Sequence, residues 1–139
     1  MAKIKANATW IENMRLVVDN ARSHSVVCDV SQASGGGDTG PTALELALMS
    51  LAGCAVTIYA DVAKKSGVVL SKLEVTTEAE KHADSPKLTD ANMRVQVEGK
   101  ARRELLEALW RRTEANCPVL FVFKEPIPVK TELETRTID

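Results

Sequence analysis

The stretch Thr42-Ala-Leu-Glu-Leu-Ala-Leu-Met-Ser-Leu-Ala-Gly-Cys54-Ala-Val-Thr-Ile-Tyr-Ala-Asp-Val-Ala-Lys-Lys-Ser66 decides how this chain folds. Thr42 and Glu45 stand at capping-box spacing. Lys64 and Lys65 fall where a helix end carries partial negative charge, and Gly67 offers a left-handed stop. The spacing predicts one helix from Thr42 to about Ser66, roughly 36 Å long at 1.5 Å per residue. Its apolar side chains, among them Leu44, Leu46, Leu48, Met49, Leu51, Val56, Ile58, Tyr59 and Val62, occupy every sector of the helical wheel. Such a helix must be covered all round.

What covers it has to come from short, alternating segments. Ile4, Ala6, Ala8 and Trp10 alternate with Lys3, Lys5, Asn7 and Thr9 over residues 3 to 11, as in a half-buried strand. Met14 to Val18 reads as its hairpin partner and His24 to Val30 as a third strand. Beyond the helix, Leu73, Val75 and Thr77 and then Met93, Val95 and Val97 mark two more strands. They are joined through His82 to Asp90 as an antiparallel pair. Residues 101 to 115 form an amphipathic helix with Leu105, Leu106, Leu109 and Trp110 inward. Ile127 to Leu133 reads as a last strand. The expected fold is therefore α+β, an antiparallel sheet of about six strands wrapped around a long central helix in the order βββ-α-ββ-α-β, as a single domain over residues 1–139. One short helix and one sheet can hardly enclose the long helix within 139 residues, so a second copy of the chain is expected around it, as an intertwined homodimer.

Composition narrows the function. Net charge is −1, with no basic patch to favour nucleic acid, and the aromatics are only Trp10, Trp110, Tyr59, Phe121 and Phe123. The N-terminus lacks an apolar signal region, and the longest uncharged apolar run, Leu46 to Ala60, is short for a bilayer. A cytoplasmic setting without membrane or nucleic-acid partners is expected. Gly35-x-Gly37-x-x-Gly40 matches a dinucleotide fingerprint in letters only, since no βαβ unit follows. His24 and His82 have no company suited to zinc, so neither metal nor cofactor is expected.

Three cysteines remain. Cys28 alternates with Val26 and Val30 and reads as packing. Cys54 lies mid-helix among Ala52, Gly53 and Ala55, either a small buried hydrophobe or a thiol with space beside it. Cys117 precedes Pro118, a residue favoured at the first position of a helix, so Cys117 would be an N-cap with a lowered thiol pKa. As a pair the two fit a dithiol cycle, in which one thiolate is oxidised by a peroxide and the other condenses with it. Sixty-three positions separate them, so only the fold can bring them together.

The run Gly35-Gly-Gly-Asp-Thr-Gly-Pro-Thr-Ala-Leu-Glu-Leu-Ala-Leu-Met-Ser-Leu-Ala-Gly-Cys54, with Asn116-Cys117-Pro118-Val119 downstream, resembles the OsmC/Ohr family, in particular its divergent OsmC-like branch. The resemblance implies an intertwined dimer with two sites, each built from both chains. It also implies reduction of organic hydroperoxides or hydrogen peroxide at the expense of a dithiol reductant. By matching position, Cys54 is the attacking (peroxidatic) thiol and Cys117 the resolving one. The family also uses a Glu on the helix and an Arg near the first hairpin. The position ten residues before the first cysteine is Leu44 here, which leaves Glu45 as the Glu candidate and Arg15, with Arg22 beside it, for the Arg. Glu45 falls on the opposite side of a straight helix from Cys54, where it serves better as capping partner to Thr42. The alternative expectation is an OsmC-like dimer that binds a small apolar ligand, with redox-responsive or vestigial cysteines.

Overall fold

The computed structural model of the chain describes residues 2–138. The N-terminal alternation becomes β1 (Asn7–Glu12), which turns through Asn13, in the left-handed region at φ 47°, into β2 (Arg15–Asp19). β3 (Ser25–Cys28) completes an antiparallel meander of order β1-β2-β3. Registers Ala8↔Val18, Trp10↔Leu16, Leu16↔Cys28 and Val18↔Val26 place these apolar side chains on one face of the sheet. At the far turn, the Asn20 side-chain oxygen accepts from the backbone N–H groups of Arg22 and His24, an Asx-type closure.

The loop from β3 to the long helix is wound around one carboxylate. Asp29 is 3% exposed. One of its oxygens accepts from the Val30 N–H at 2.8 Å. The other accepts from the Thr39 hydroxyl at 2.7 Å and from the N–H groups of Gly37 and Thr39, each at 3.2 Å. The Asp29 N–H donates to the Pro41 carbonyl at 3.1 Å. At Gly40 a Cβ would collide with the Val27 carbonyl, so this path requires glycine.

The helix that follows, α1 (Ala43–Lys65), has the expected ends. The Thr42 hydroxyl accepts from the Glu45 N–H at 3.0 Å while a Glu45 carboxylate oxygen accepts from the Thr42 N–H at 2.9 Å, a closed capping box. At the other end Gly67 sits at φ 71°, the Gly67 N–H donates to the Lys64 carbonyl and the Val68 N–H donates to the Ala63 carbonyl. That is a Schellman stop, with Val68 and Ala63 sharing the core beneath it. By length and composition α1 is the one helix among the described residues able to cross a membrane, but Tyr59, Val62 and Ala63 on it are core residues here.

β4 (Leu70–Lys81) and β5 (Leu88–Gly99) form a second, two-stranded sheet. The Ser71 hydroxyl bonds to the Glu98 carbonyl and the Thr89 hydroxyl to the Glu80 carbonyl, as in an antiparallel hairpin. Then come α2 (Arg103–Asn116) and α3 (Pro118–Lys124). The chain divides into two compact units, Met1–Gly53 with Val75–Val95 and Cys54–Glu74 with Gln96–Asp139, and the division passes through α1, β4 and β5. In the second unit the core is Tyr59, Val62, Ala63, Val68 and Leu109, flanked by Ile58, Leu70, Leu73, Val97, Leu106 and Trp110.

Two expectations need correction. The described residues form five strands in two sheets rather than about six in one, and the element order is βββ-α-ββ-α-α. The segment expected as a final strand, Ile127 to Leu133, forms no strand. Its alternating apolar side chains (Ile127, Val129 and Leu133) are 66–85% exposed, because within one chain no strand edge takes it. The short helix at Pro118 also replaces what would otherwise read as an apolar connecting run.

Candidate active site

Cys54 and Cys117 come together in the second unit. Cys54 is half-buried at the middle of α1 and Cys117 is 1% exposed in the one-residue joint between α2 and α3; both are free thiols. The two thiols lie close enough for Cys54 to bear on the ionisation of Cys117. The fold reaches this arrangement by simple local rules. Small residues flank Cys54, and at Gly53 a Cβ would meet nothing, so the helix surface beside the sulfur is open. Pro118 can begin a helix but cannot donate a backbone N–H, so α2 stops at Asn116 and α3 starts afresh, leaving Cys117 extended at φ −81°, ψ 106° between them.

Cys117 caps α3, as its place before Pro118 suggests, but the expected lowering of its pKa is overturned. Burial pushes the Cys117 thiol up, and the hydrogen bond with Cys54 and the charge of an ionised Cys54 push the same way. The N–H groups of Leu120 and Val119 pull it down without prevailing. Desolvation of a thiolate outweighs two backbone donors here. The surroundings of Cys117 therefore favour its protonated form.

Both supporting candidates are bonded to partners within their own unit. Glu45 lies nine positions before Cys54, about 13 Å along the axis, with its carboxylate in the capping box. The Arg15 guanidinium donates to Glu12 at 2.7 Å and to the Thr39 hydroxyl at 3.0 Å, and stands 4.0 Å from Asp29. It borders a polar recess of about 160 Å³ lined by Glu12, Asn13, Arg15, Asp29, Gly36 and Gly37. The hydrogen bond from the Thr39 hydroxyl, with those from Val30, Thr39 and Gly37, lowers the Asp29 carboxyl to about 2. Cys28 is fully buried opposite Leu16 in the sheet, a packing residue. Asp61 pairs with Lys65 at 2.8 Å.

Two residues carry more than the sequence reading assigned them. Asp29 was read only as a strand residue, although an Asp placed ahead of a Gly- and Thr-containing loop is the kind of acceptor that gathers backbone N–H groups. Tyr59 was counted as one more apolar side chain of α1. It is fully buried and its hydroxyl donates to the Leu106 carbonyl on α2 at 2.9 Å, and burial raises its phenol pKa.

An α+β chain with two neighbouring thiols, at the middle of a long helix and the head of a short one, defines a class of cysteine-bearing proteins. Residues 35–132 match the family model described as OsmC-like protein, and the chain belongs to that family. It is 22% identical over 134 residues to Protein YhfA of Escherichia coli (strain K12), covering 94% of this chain and 97% of that protein. The fold is similar to that of an OsmC like protein from Mycoplasma pneumoniae (TM-score 0.79, 13% identity, 90% and 89% of the two chains). It is also similar to that of a Legionella pneumophila protein described as an organic hydroperoxide resistance protein (TM-score 0.64, 16% identity, 90% and 91%).

Proposed function

We propose that this protein is a cytoplasmic, homodimeric thiol peroxidase that reduces organic hydroperoxides or hydrogen peroxide. The observation that carries the reading is the proximity of the Cys54 and Cys117 thiols, near enough that Cys54 raises the Cys117 pKa. In the first step the Cys54 thiolate attacks the outer oxygen of the peroxide, the O–O bond breaks, and the alkoxide leaves and takes a proton. Cys54 becomes a sulfenic acid. In the second step the Cys117 sulfur displaces the hydroxyl as water, giving a Cys54–Cys117 disulfide, and a dithiol reductant then returns both to thiols. The asymmetry of the pair supports this order of roles. The half-buried thiol is the one open to a substrate, and the buried one, with its raised pKa, stays protonated until it is needed.

The homodimer is supported by surface area. The chain exposes 11114 Å², whereas a folded monomer of its 15.1 kDa would expose roughly 7,100 Å². The excess includes Leu44 and Met49 on α1, Phe121 and Val122 on α3, and the unpaired segment Ile127 to Leu133. We read the chain as a single domain completed by a second copy.

A second reading, an OsmC-like dimer that holds a small apolar ligand, draws support from the engagement of Glu45 and Arg15 elsewhere, which leaves Cys54 without either as an activator within one chain. The test is peroxide consumption by the reduced protein and by Cys54→Ser, with a dithiol present. The peroxidase reading expects turnover in the first and none in the second, with the dimer intact in both. Equal consumption by the two would end it, and absence of turnover together with a co-purifying apolar ligand would favour the second reading.

A further inference from the structure

We infer that Tyr59 is a positioning residue for the Cys54–Cys117 pair, an inference that rests on the dithiol reading above. The two sulfurs belong to different helical segments. Cys54 is on α1, and Cys117 follows directly on the last residue of α2. Their approach is therefore set by how α1 lies on α2. Most of that contact is hydrocarbon: Val62, Ala63 and Leu109, with Ile58 and Leu106 beside them. Hydrocarbon packing is non-directional and tolerates sliding of one helix along another, at little cost per fraction of an ångström.

Tyr59 adds a directional restraint. Its ring sits at the centre of this core with no exposure, five residues after Cys54, and its hydroxyl donates to the Leu106 carbonyl at 2.9 Å. That carbonyl is in the interior of α2, where the helix's own bonding already occupies it, so the phenol is a second donor to one oxygen. A phenylalanine would fill the same core. What the hydroxyl contributes is a fixed point of α1 against a fixed point of α2, and through two rigid helices a fixed separation of the sulfurs. A buried phenol whose ionisation is disfavoured by its surroundings keeps its proton for this bond across the physiological range.

The experiment is a redox titration of the full-length protein against reduced and oxidised glutathione. The fraction of Cys54–Cys117 disulfide is read by mass spectrometry after acid quench and alkylation. The equilibrium converts one protein dithiol and one glutathione disulfide into one protein disulfide and two glutathione thiols, so it reports the effective concentration of one thiol at the other. Tyr59→Phe is expected to lower that effective concentration about five-fold, the factor carried by one buried hydrogen bond. After one equivalent of hydroperoxide, the same variant should leave more sulfenic acid on Cys54 for dimedone to trap. Val62→Ala, which loosens the same core without touching the bond, should lower stability and leave the thiol equilibrium within two-fold of the parent. An unchanged equilibrium in Tyr59→Phe, or an equal fall in both variants, overturns the positioning role while leaving the peroxidase reading in place. Absence of any Cys54–Cys117 disulfide in the parent protein overturns both.

Discussion

Oxidation of the thiol pair should stabilise the fold by an amount that follows from its position in the chain. The prospective bond closes a loop of about 63 residues, between the middle of α1 and the joint after α2. Loop-closure entropy removed from the unfolded chain then amounts to about 4 kcal/mol at 25 °C, before any strain in the folded state. Because the two thiols already lie near each other, the folded state should give back little of that. The assay is urea unfolding followed by circular dichroism on the fully reduced protein and on protein oxidised with one equivalent of hydroperoxide, at one protomer concentration so that subunit association does not enter. With a slope of about 2 kcal/mol/M, the oxidised midpoint should lie about 2 M higher. An oxidised protein no more stable than the reduced one would refute the reasoning. It would mean that closing the bond distorts the helices by as much as it constrains the unfolded chain, and a pair so placed could not cycle rapidly.

Thr42→Ala opens the capping box at the head of α1 and should cost about 1 kcal/mol, seen as a melting temperature lower by a few degrees in calorimetry. The Asp29 carboxyl, held at about 2 against an ordinary 3.8, contributes stability that is fully present above the ordinary value and drains away as pH falls toward 2. Acid titration of stability should therefore show a loss between about pH 4 and 2 in the parent, and Asp29→Asn should be less stable at neutral pH with that limb flattened; an unchanged limb would count against Asp29 as its source. Leu133→Asp places a charge on the unpaired C-terminal segment and should convert dimer to monomer in light scattering if that segment meets a second copy.

The sequence carried the local parts of this structure and lost the long-range ones. Thr42, Glu45, Lys64 and Gly67 bound α1 through contacts within a few residues, so its ends are legible to within one position. The β1-β2-β3 meander follows from alternation and turns, again local, although the first strand begins at Asn7 rather than Lys3. Cys54 and Cys117 stand out by resemblance and by the Pro118 helix start, but their proximity spans 63 positions and no local rule contains it. The sign of the Cys117 shift was missed for the same reason. The helix start is local and visible, whereas the burial that outweighs it comes from the surrounding fold. The last strand was legible as a pattern and absent as a strand, because alternation reports an inclination to pair and not the presence of an edge.

The unpaired C-terminal stretch has a consequence for the protein's behaviour in concentrated solution. A segment exposing Ile127, Val129 and Leu133 without a strand partner is a template for cross-chain stacking. Its own sequence restrains that tendency: Pro126 and Pro128 lack amide donors, while Lys130, Glu132 and Glu134 intersperse charge among the apolar side chains. Missing donors and added charge together discourage growth into fibres.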